Sequence, residues 1–417
     1  MSEVSRQSSA ASARTPGDRA DDIVGILSVI VPNLPKILVE NDRILQGAAA
    51  ISANVIGPTL RSKSFPDTVS KHTLVLLREL SKLPNNQKSW KKDVADAFND
   101  SRFFSSNLSL VQSDWLPLLR QWIVTDKERM PEVLSRMTPP TTAGIVFGVG
   151  ATSARLEADR KTQLNLRRVA TLVLASNNDA FVTDLTPILD KLIELLGATA
   201  TSSPSSTTRA EVYMVIRALV LKMSAIHLAA LWPVINSELH AALSSVVAPD
   251  HSGPSDTYNN ATVMQACKLL DLLVCVAPDD FQLHEWLFVT DTIDAVYRSS
   301  TYQPVALVDE VSEELGAAMS SSLAVSSGPH HAVLESSAHG MAAGSYRRPL
   351  LGPGGISDDV SMDRKDELVA KVLRPFFGQL SIYAFESTYA MTPLDWEGCV
   401  QSLLKDLFDE RTIVRAL

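Results

Sequence analysis

Apolar residues recur at three- and four-residue spacing along almost the whole chain, and that period excludes most folds. In "TVSKHTLVLLRELSKL" the residues Val69, Leu74, Leu77 and Leu80 fall near helical spacing. In "TDLTPILDKLIELLG" apolar side chains recur at 185, 188, 189, 192, 195 and 196. Thr186 and Pro187 suit a cap followed by the first helical position, and Gly197 is expected to stop that helix. Strand-like alternation is scarce, with "AGIVFGVG" at 143–150 the one short candidate. The pattern predicts an all-α protein.

The segments "DLTPILDKLIELL" and "LAALWPVINSELHAAL" share one plan: a proline near the start, then Leu or Ile at i, i+3, i+4 and i+7. Each reads as the second helix of an antiparallel pair. Pairs that bury one face against the next favour an armadillo/HEAT-like α-solenoid over a closed bundle. Polar breaks fall near 137–144, 198–208 and 248–256. The expected organisation is a disordered N-terminus at 1–20, a helical-repeat region at 21–317, a disordered Ser/Gly/Pro-rich insertion at 318–361, and C-terminal helices at 362–417 packing on the solenoid. The insertion is assigned on composition, which offers too little apolar surface to offset chain entropy.

At 417 residues and 45.3 kDa the chain can bury a large core. Its three cysteines, Cys267, Cys275 and Cys399, show no metal-type spacing and fit a reducing, cytosolic setting. "MSEVSRQSSAASARTPGDRA" lacks the apolar core of a secretory signal. Pro32, Asn33, Pro35 and Lys36 interrupt the apolar run from Ile23, so membrane contact is expected to be peripheral. The net charge of −9 is uneven: residues 271–314 carry ten acidic side chains against Arg298 alone, while residues 1–270 hold 28 basic and 25 acidic ones. Aromatics at 6% and the lack of a dense basic stripe argue against nucleic-acid binding.

Candidate chemistry is thin. In "HLAALWPVINSELHAAL", Pro233 suits a first helical turn, with Trp232, Ile235, Leu239 and Ala242 or Leu243 on one face. Glu238 and His240 lie about 200° apart on a helix and cannot converge on one ion. His330 and His331 sit in the Ser/Gly-rich segment, and no other histidine has a partner at metal spacing. Gly148 and Gly150 open a G-x-G-x-x-G pattern that fails at Ser153, and no Gly-Lys pair exists for a P-loop. No cofactor is indicated. Two basic clusters remain, one with Lys88, Lys91 and Lys92, the other with Arg155, Arg160, Lys161, Arg167 and Arg168. One reading is a solvated helix face. The other is contact with anionic lipid or an acidic partner, at about 1 kcal/mol per well-placed charge.

One block is more particular. "LWPVINSELHAAL" at 231–243 precedes "QACKLLDLLVCVAPDDFQLHEWLFVTDTI" at 265–293. An apolar helix carrying Cys267, Lys268 and Asp271 is closed by Pro278, Asp279 and Asp280, and a second presents Trp286 and Phe288. This succession resembles the C-terminal region of the Dopey family of large membrane-trafficking proteins, as do the segments at 103–137 and from Leu373. The resemblance covers roughly 20–315 and 362–410, and marks Trp232, Pro233, Glu238, Cys267, Asp271, Pro278 and Trp286 as signature residues of structural character. It implies a non-enzymatic scaffold, cytoplasmic and peripheral on Golgi and endosomal membranes. The implied partners are a large Sec7-related trafficking scaffold and a lipid-flippase ATPase. The alternative from the residues alone is a soluble α-solenoid adaptor unrelated to membranes, as in nuclear transport.

Overall fold

The computed structural model describes residues 16–86, 88–139, 148–202, 207–247, 258–290, 306–323, 346–389 and 392–413. Among them the secondary structure is helical, with isolated bridges such as Arg347 to Leu394 in place of strands. Helices of seven residues or more are numbered here in chain order. The chain divides into two compact units after Thr125.

The first unit contains α1 (Pro16–Ile30), α2 (Asn41–Ile51), α3 (Lys71–Lys82), α4 (Lys88–Asn99) and α5 (Leu116–Thr125). Ser70 caps α3 by accepting the Thr73 N–H at 3.2 Å, satisfying one of the donors a helix start leaves open. Leu74, Leu77 and Leu80 are buried as the spacing predicts, and Leu76 joins them. Aromatic rings bind α4, α5 and the loop between them. Phe98 meets Phe103 edge-on at 5.2 Å and Trp122 at 5.7 Å, and Phe103 meets Trp115 at 5.2 Å. Such edge contacts add to area burial by about 1 kcal/mol each. Helix α1 begins at Pro16, so residues 16–20 are helical, against the expectation for 1–20; residues 1–15 lie outside the described set. It gives way to a 3₁₀ turn at Val31–Asn33. Among the described residues no helix is long and apolar enough to cross a membrane.

The second unit contains α6 (Arg129–Ser135), α7 (Gly148–Ala175), α8 (Leu185–Ser202), α9 (Thr207–Lys222), α10 (Trp232–Ser244), α11 (Asn260–Val276), α12 (Leu307–Leu323), α13 (Arg374–Tyr389) and α14 (Trp396–Leu407). Consecutive helices pair as α6 with α7, α8 with α9, α10 with α11 and α12 with α13, so that α8 and α10 are the first members of their pairs and not the second members the sequence led one to expect. The second members form a row in which α7 packs on α9, α9 on α11 and α11 on α13. This is the helix-pair stacking of α-solenoids. Helix α14 then covers the row from its other side, on α9 and α7. Helix α9 is therefore enclosed all round, and every residue from Thr208 to Leu221 is buried.

Two boundaries differ from expectation, and the division into two compact units after Thr125 falls within the region 21–317. Gly197 does not end α8, which continues to Ser202. A glycine costs a helix only about 1 kcal/mol, and the residues after it keep helical propensity. A Cβ at Gly197 would meet nothing within 4 Å, so Gly197→Ala is expected to raise stability by about 0.5–1 kcal/mol in urea unfolding. Finally, the insertion assigned as disordered at 318–361 is ordered at both ends. Helix α12 extends to Leu323, and residues 346–361 form a strap with Leu351 buried. Composition missed the strap because its anchors are backbone N–H groups and one aspartate. Residues 324–345 lie outside the described set, as do 143–147 of the strand candidate.

Candidate functional site

The two basic clusters meet different fates. On α4, Lys88 and Lys92 are exposed one turn apart, while Trp90 between them is buried. Lys91 is half-buried and donates to the Thr125 carbonyl at 2.9 Å. On α7, Lys161 is exposed with Glu157 at 3.6 Å, and Arg160 is half-buried. Arg167 and Arg168 correct the surface reading, since both are buried and Arg167 has no exposed side-chain area at all. From Thr162 onward α7 is enclosed on every side. The apolar run "VATLVLA" that follows the two arginines is the sequence signal that pointed inward.

Arg167 donates to both carboxylate oxygens of Glu211 on α9, at 2.7 to 3.0 Å. It also donates to the carbonyls of Leu407 at 2.7 Å and Asp409 at 2.9 Å. A cation at the carbonyl end of a helix satisfies groups the helix cannot, and it opposes the negative pole of the dipole. Arg167 therefore fastens α14 to the core. Burial pushes the Glu211 carboxyl up, against the lowering effect of the Arg167 charge.

A second cluster holds the other side of α14. Asp406 accepts from Arg217 of α9 at 2.6 Å and from Lys268 of α11 at 2.5 Å. Lys268 also donates to Asp358 of the strap at 2.6 Å, and Lys405 reaches the other Asp358 oxygen at 3.0 Å. Burial acts to raise Asp406, but the Lys268 and Arg217 charges outweigh it and hold the carboxyl at about 2. Asp358 is lowered in the same way: burial opposes ionisation and the Lys268 and Lys405 charges win. Deeper on α11, Asp271 accepts the backbone N–H groups of Leu350 at 2.9 Å and Leu351 at 2.8 Å. There burial dominates and raises the carboxyl to about 7, despite those bonds. A cavity of about 710 Å³ adjoins the cluster, lined by Asn259, Gln265, Lys268, Asp358, Lys405 and Asp406 among others. The charges in it that belong to the cluster are spent on one another, which suits a lock more than a reaction centre.

The signature residues separate into anchors and one exception. Pro233 occupies the first turn of α10, where its missing N–H costs nothing. Trp232 is buried beside Phe281 and donates its indole N–H to Asp280 at 3.2 Å. Glu238, half-buried, pairs with Arg209 and accepts from Tyr213 at 3.0 Å. His240 points outward, as the helical geometry requires. Cys267 is buried and its thiol is pushed up by burial, consistent with a packing role. Pro278 precedes a short helix at Asp279–Gln282. Trp286 corrects the structural reading. The second helix of the signature is only a 3₁₀ turn at Glu285–Leu287, which buries Phe288 and leaves Trp286 59% exposed. Trp286→Ala is accordingly expected to cost under about 1 kcal/mol, measured by denaturant midpoint, instead of the ~3–5 kcal/mol of a core tryptophan. Among the described residues no group of three or more His, Cys, Asp or Glu is arranged to hold a metal ion.

Stacked helix pairs, closed by a C-terminal helix locked through buried ion pairs, define an all-α helical-repeat protein. The family model described as DOP1 C-terminal matches residues 1–390, and the chain belongs to the DOP1 family. It is similar to "Protein dop1" of Emericella nidulans, 48% identical over 396 residues, which cover 94% of this chain and 20% of that protein. "Protein DOP1" of Saccharomyces cerevisiae is 25% identical over 86% of this chain and 19% of its own length. "Protein DOP1B" of Xenopus laevis is 24% identical over 69% of this chain and 13% of its own. The chain thus spans about a fifth of the length of the first two relatives. No solved structure matches it.

Proposed function

We propose that this chain is a non-enzymatic scaffold module of membrane trafficking between Golgi and endosomes, cytoplasmic and peripheral on those membranes. The observation that carries the reading is the division of labour among its side chains. Arg167, Glu211, Lys268, Asp358 and Asp406 turn inward to lock helices together, while large apolar groups such as Trp286, Ile382 and Phe385 face solvent. That is the pattern of a protein that works through its surfaces. DOP1 membership supports the assignment to trafficking. The partners proposed are the Sec7-related scaffold and the lipid-flippase ATPase. Affinity purification of the tagged chain from its own cells tests this; absence of both partners would reject it. The exposed pair Lys88 and Lys92 supports a weaker contact with anionic lipid, while Arg167 and Arg168 are withdrawn from that role. Vesicles containing phosphatidylserine are expected to co-sediment with the chain at low salt and to lose it on Lys88→Glu with Lys92→Glu. Equal sedimentation of the double variant would remove the lipid contact.

A further inference from the structure

The last helix pair of the second unit carries an apolar surface that the described residues leave exposed. Helix α13 buries Phe376, Phe377, Leu380, Tyr383 and Ala384 against its neighbours. On its opposite side Ile382, Phe385 and Tyr389 are 63%, 46% and 65% exposed, and Gly378 is exposed above them. At 100° per residue these four positions fall within about 60° of arc. Their spacing of four, three and four is that of a coiled-coil seam, which accepts the knobs of one facing helix. A Cβ at Gly378 would meet nothing within 4 Å, so a partner can approach closely there. The Phe385 and Tyr389 rings lie 4.8 Å apart and form one aromatic floor.

The charge exposed on α13 and on the helix packed against it argues for the sign of the occupant. Helix α12, which packs against α13, exposes Glu310, Glu313 and Glu314, and α13 itself exposes Glu386 next to the seam. Of the cations on these elements, Lys371 lies 2.7 Å from Glu367 and Arg348 lies 2.6 Å from Asp395, while Arg374 is half-buried one turn before Gly378, at the far end of the seam from Glu386 and Tyr389. We propose that the outer face of α13 is a docking seam for a basic amphipathic helix of a partner protein, with apolar knobs on Ile382, Phe385 and Tyr389 and cations facing the α12 glutamates. The inference rests on the scaffold reading and supplies the chemistry of one partner.

The test places a photo-reactive benzoylphenylalanine at position 382 of the full chain in its own cells, and the cross-linked peptide is sequenced. The expected product is a segment of another protein with helical apolar period and net positive charge. A synthetic copy of that segment should bind the chain with salt-sensitive affinity, at least about tenfold weaker after Phe385→Ala with Tyr389→Ala. Both positions are exposed, and an unchanged thermal midpoint of the double variant confirms that the fold survives. A cross-link to a second copy of this chain, to lipid or to an acidic segment would overturn the proposal, as would no cross-link at all. Failure of the cross-link with the Sec7-related scaffold and flippase still co-purifying would remove the seam and leave the scaffold standing. A basic helix from a protein of another compartment would confirm the seam and reject the trafficking assignment.

Discussion

Arg167→Met is expected to destabilise the second unit by about 3–5 kcal/mol. The side chain has no exposed area, and its neutral replacement leaves Glu211 as a buried carboxylate without its cation. The same change strips the donors from the carbonyls of Leu407 and Asp409 at the end of α14. Two penalties therefore arise at one site, an uncompensated charge and unsatisfied acceptors, each a recognised source of large losses. Urea unfolding should show a lower midpoint, and hydrogen exchange should show α14 losing protection before α9. Adding Glu211→Gln should recover part of the loss, since it removes the stranded charge but not the stranded carbonyls. A loss under about 1 kcal/mol, or unchanged exchange in α14, would refute the fastening role of Arg167.

Asp406→Asn is expected to cost about 3 kcal/mol at neutral pH, because Arg217 and Lys268 then share a buried site with one anion fewer. Its pH dependence has a definite sign. The folded carboxyl titrates at about 2, below its ordinary 3.8, so its contribution is present above pH 3.8 and is lost as pH falls through about 2. The shift corresponds to about 2 kcal/mol that the parent chain loses over this window and the variant does not. Asp271 works in the opposite direction. Its carboxyl is raised from 3.8 to about 7, so its contribution is present below pH 3.8 and fades as pH rises through about 7. Denaturant midpoints measured from about pH 2 to pH 8 separate the two. A variant curve parallel to that of the parent chain below pH 4 would show that Asp406 does not carry the acid sensitivity.

What the sequence made legible was local. Pro233 at a helix start, the buried Leu74, Leu77 and Leu80, and the packing of Cys267 all follow from spacing within one or two turns. What escaped was decided by partners far along the chain. Arg167 and Arg168 read as a surface pair because adjacent arginines ordinarily reach water. The burial of Arg167 depends on Glu211, 44 residues away, and on carbonyls more than 200 residues away, for which no local pattern exists. The strap at 346–361 was invisible for a related reason: Asp271 holds it through main-chain N–H groups, which every sequence possesses. Trp286 failed in the other direction, since a large aromatic in an apolar neighbourhood is read as core unless the turn that carries it is known.

The grip of Arg167 on the Leu407 carbonyl spans 240 residues. During synthesis a ribosome adding about 5–20 residues per second would need on the order of tens of seconds to deliver α14 after α7 has emerged. For that interval Arg167 would have Glu211 but no helix end to hold, while Arg217 and Lys268 would lack Asp406. Arg167 would rest on Glu211 alone, while Arg217 and Lys268 would wait for the anion that Asp406 supplies. The second unit therefore completes its fold only once α14 has been delivered, and a nascent chain stalled before residue 396 lacks the carbonyls and the carboxylate that close it.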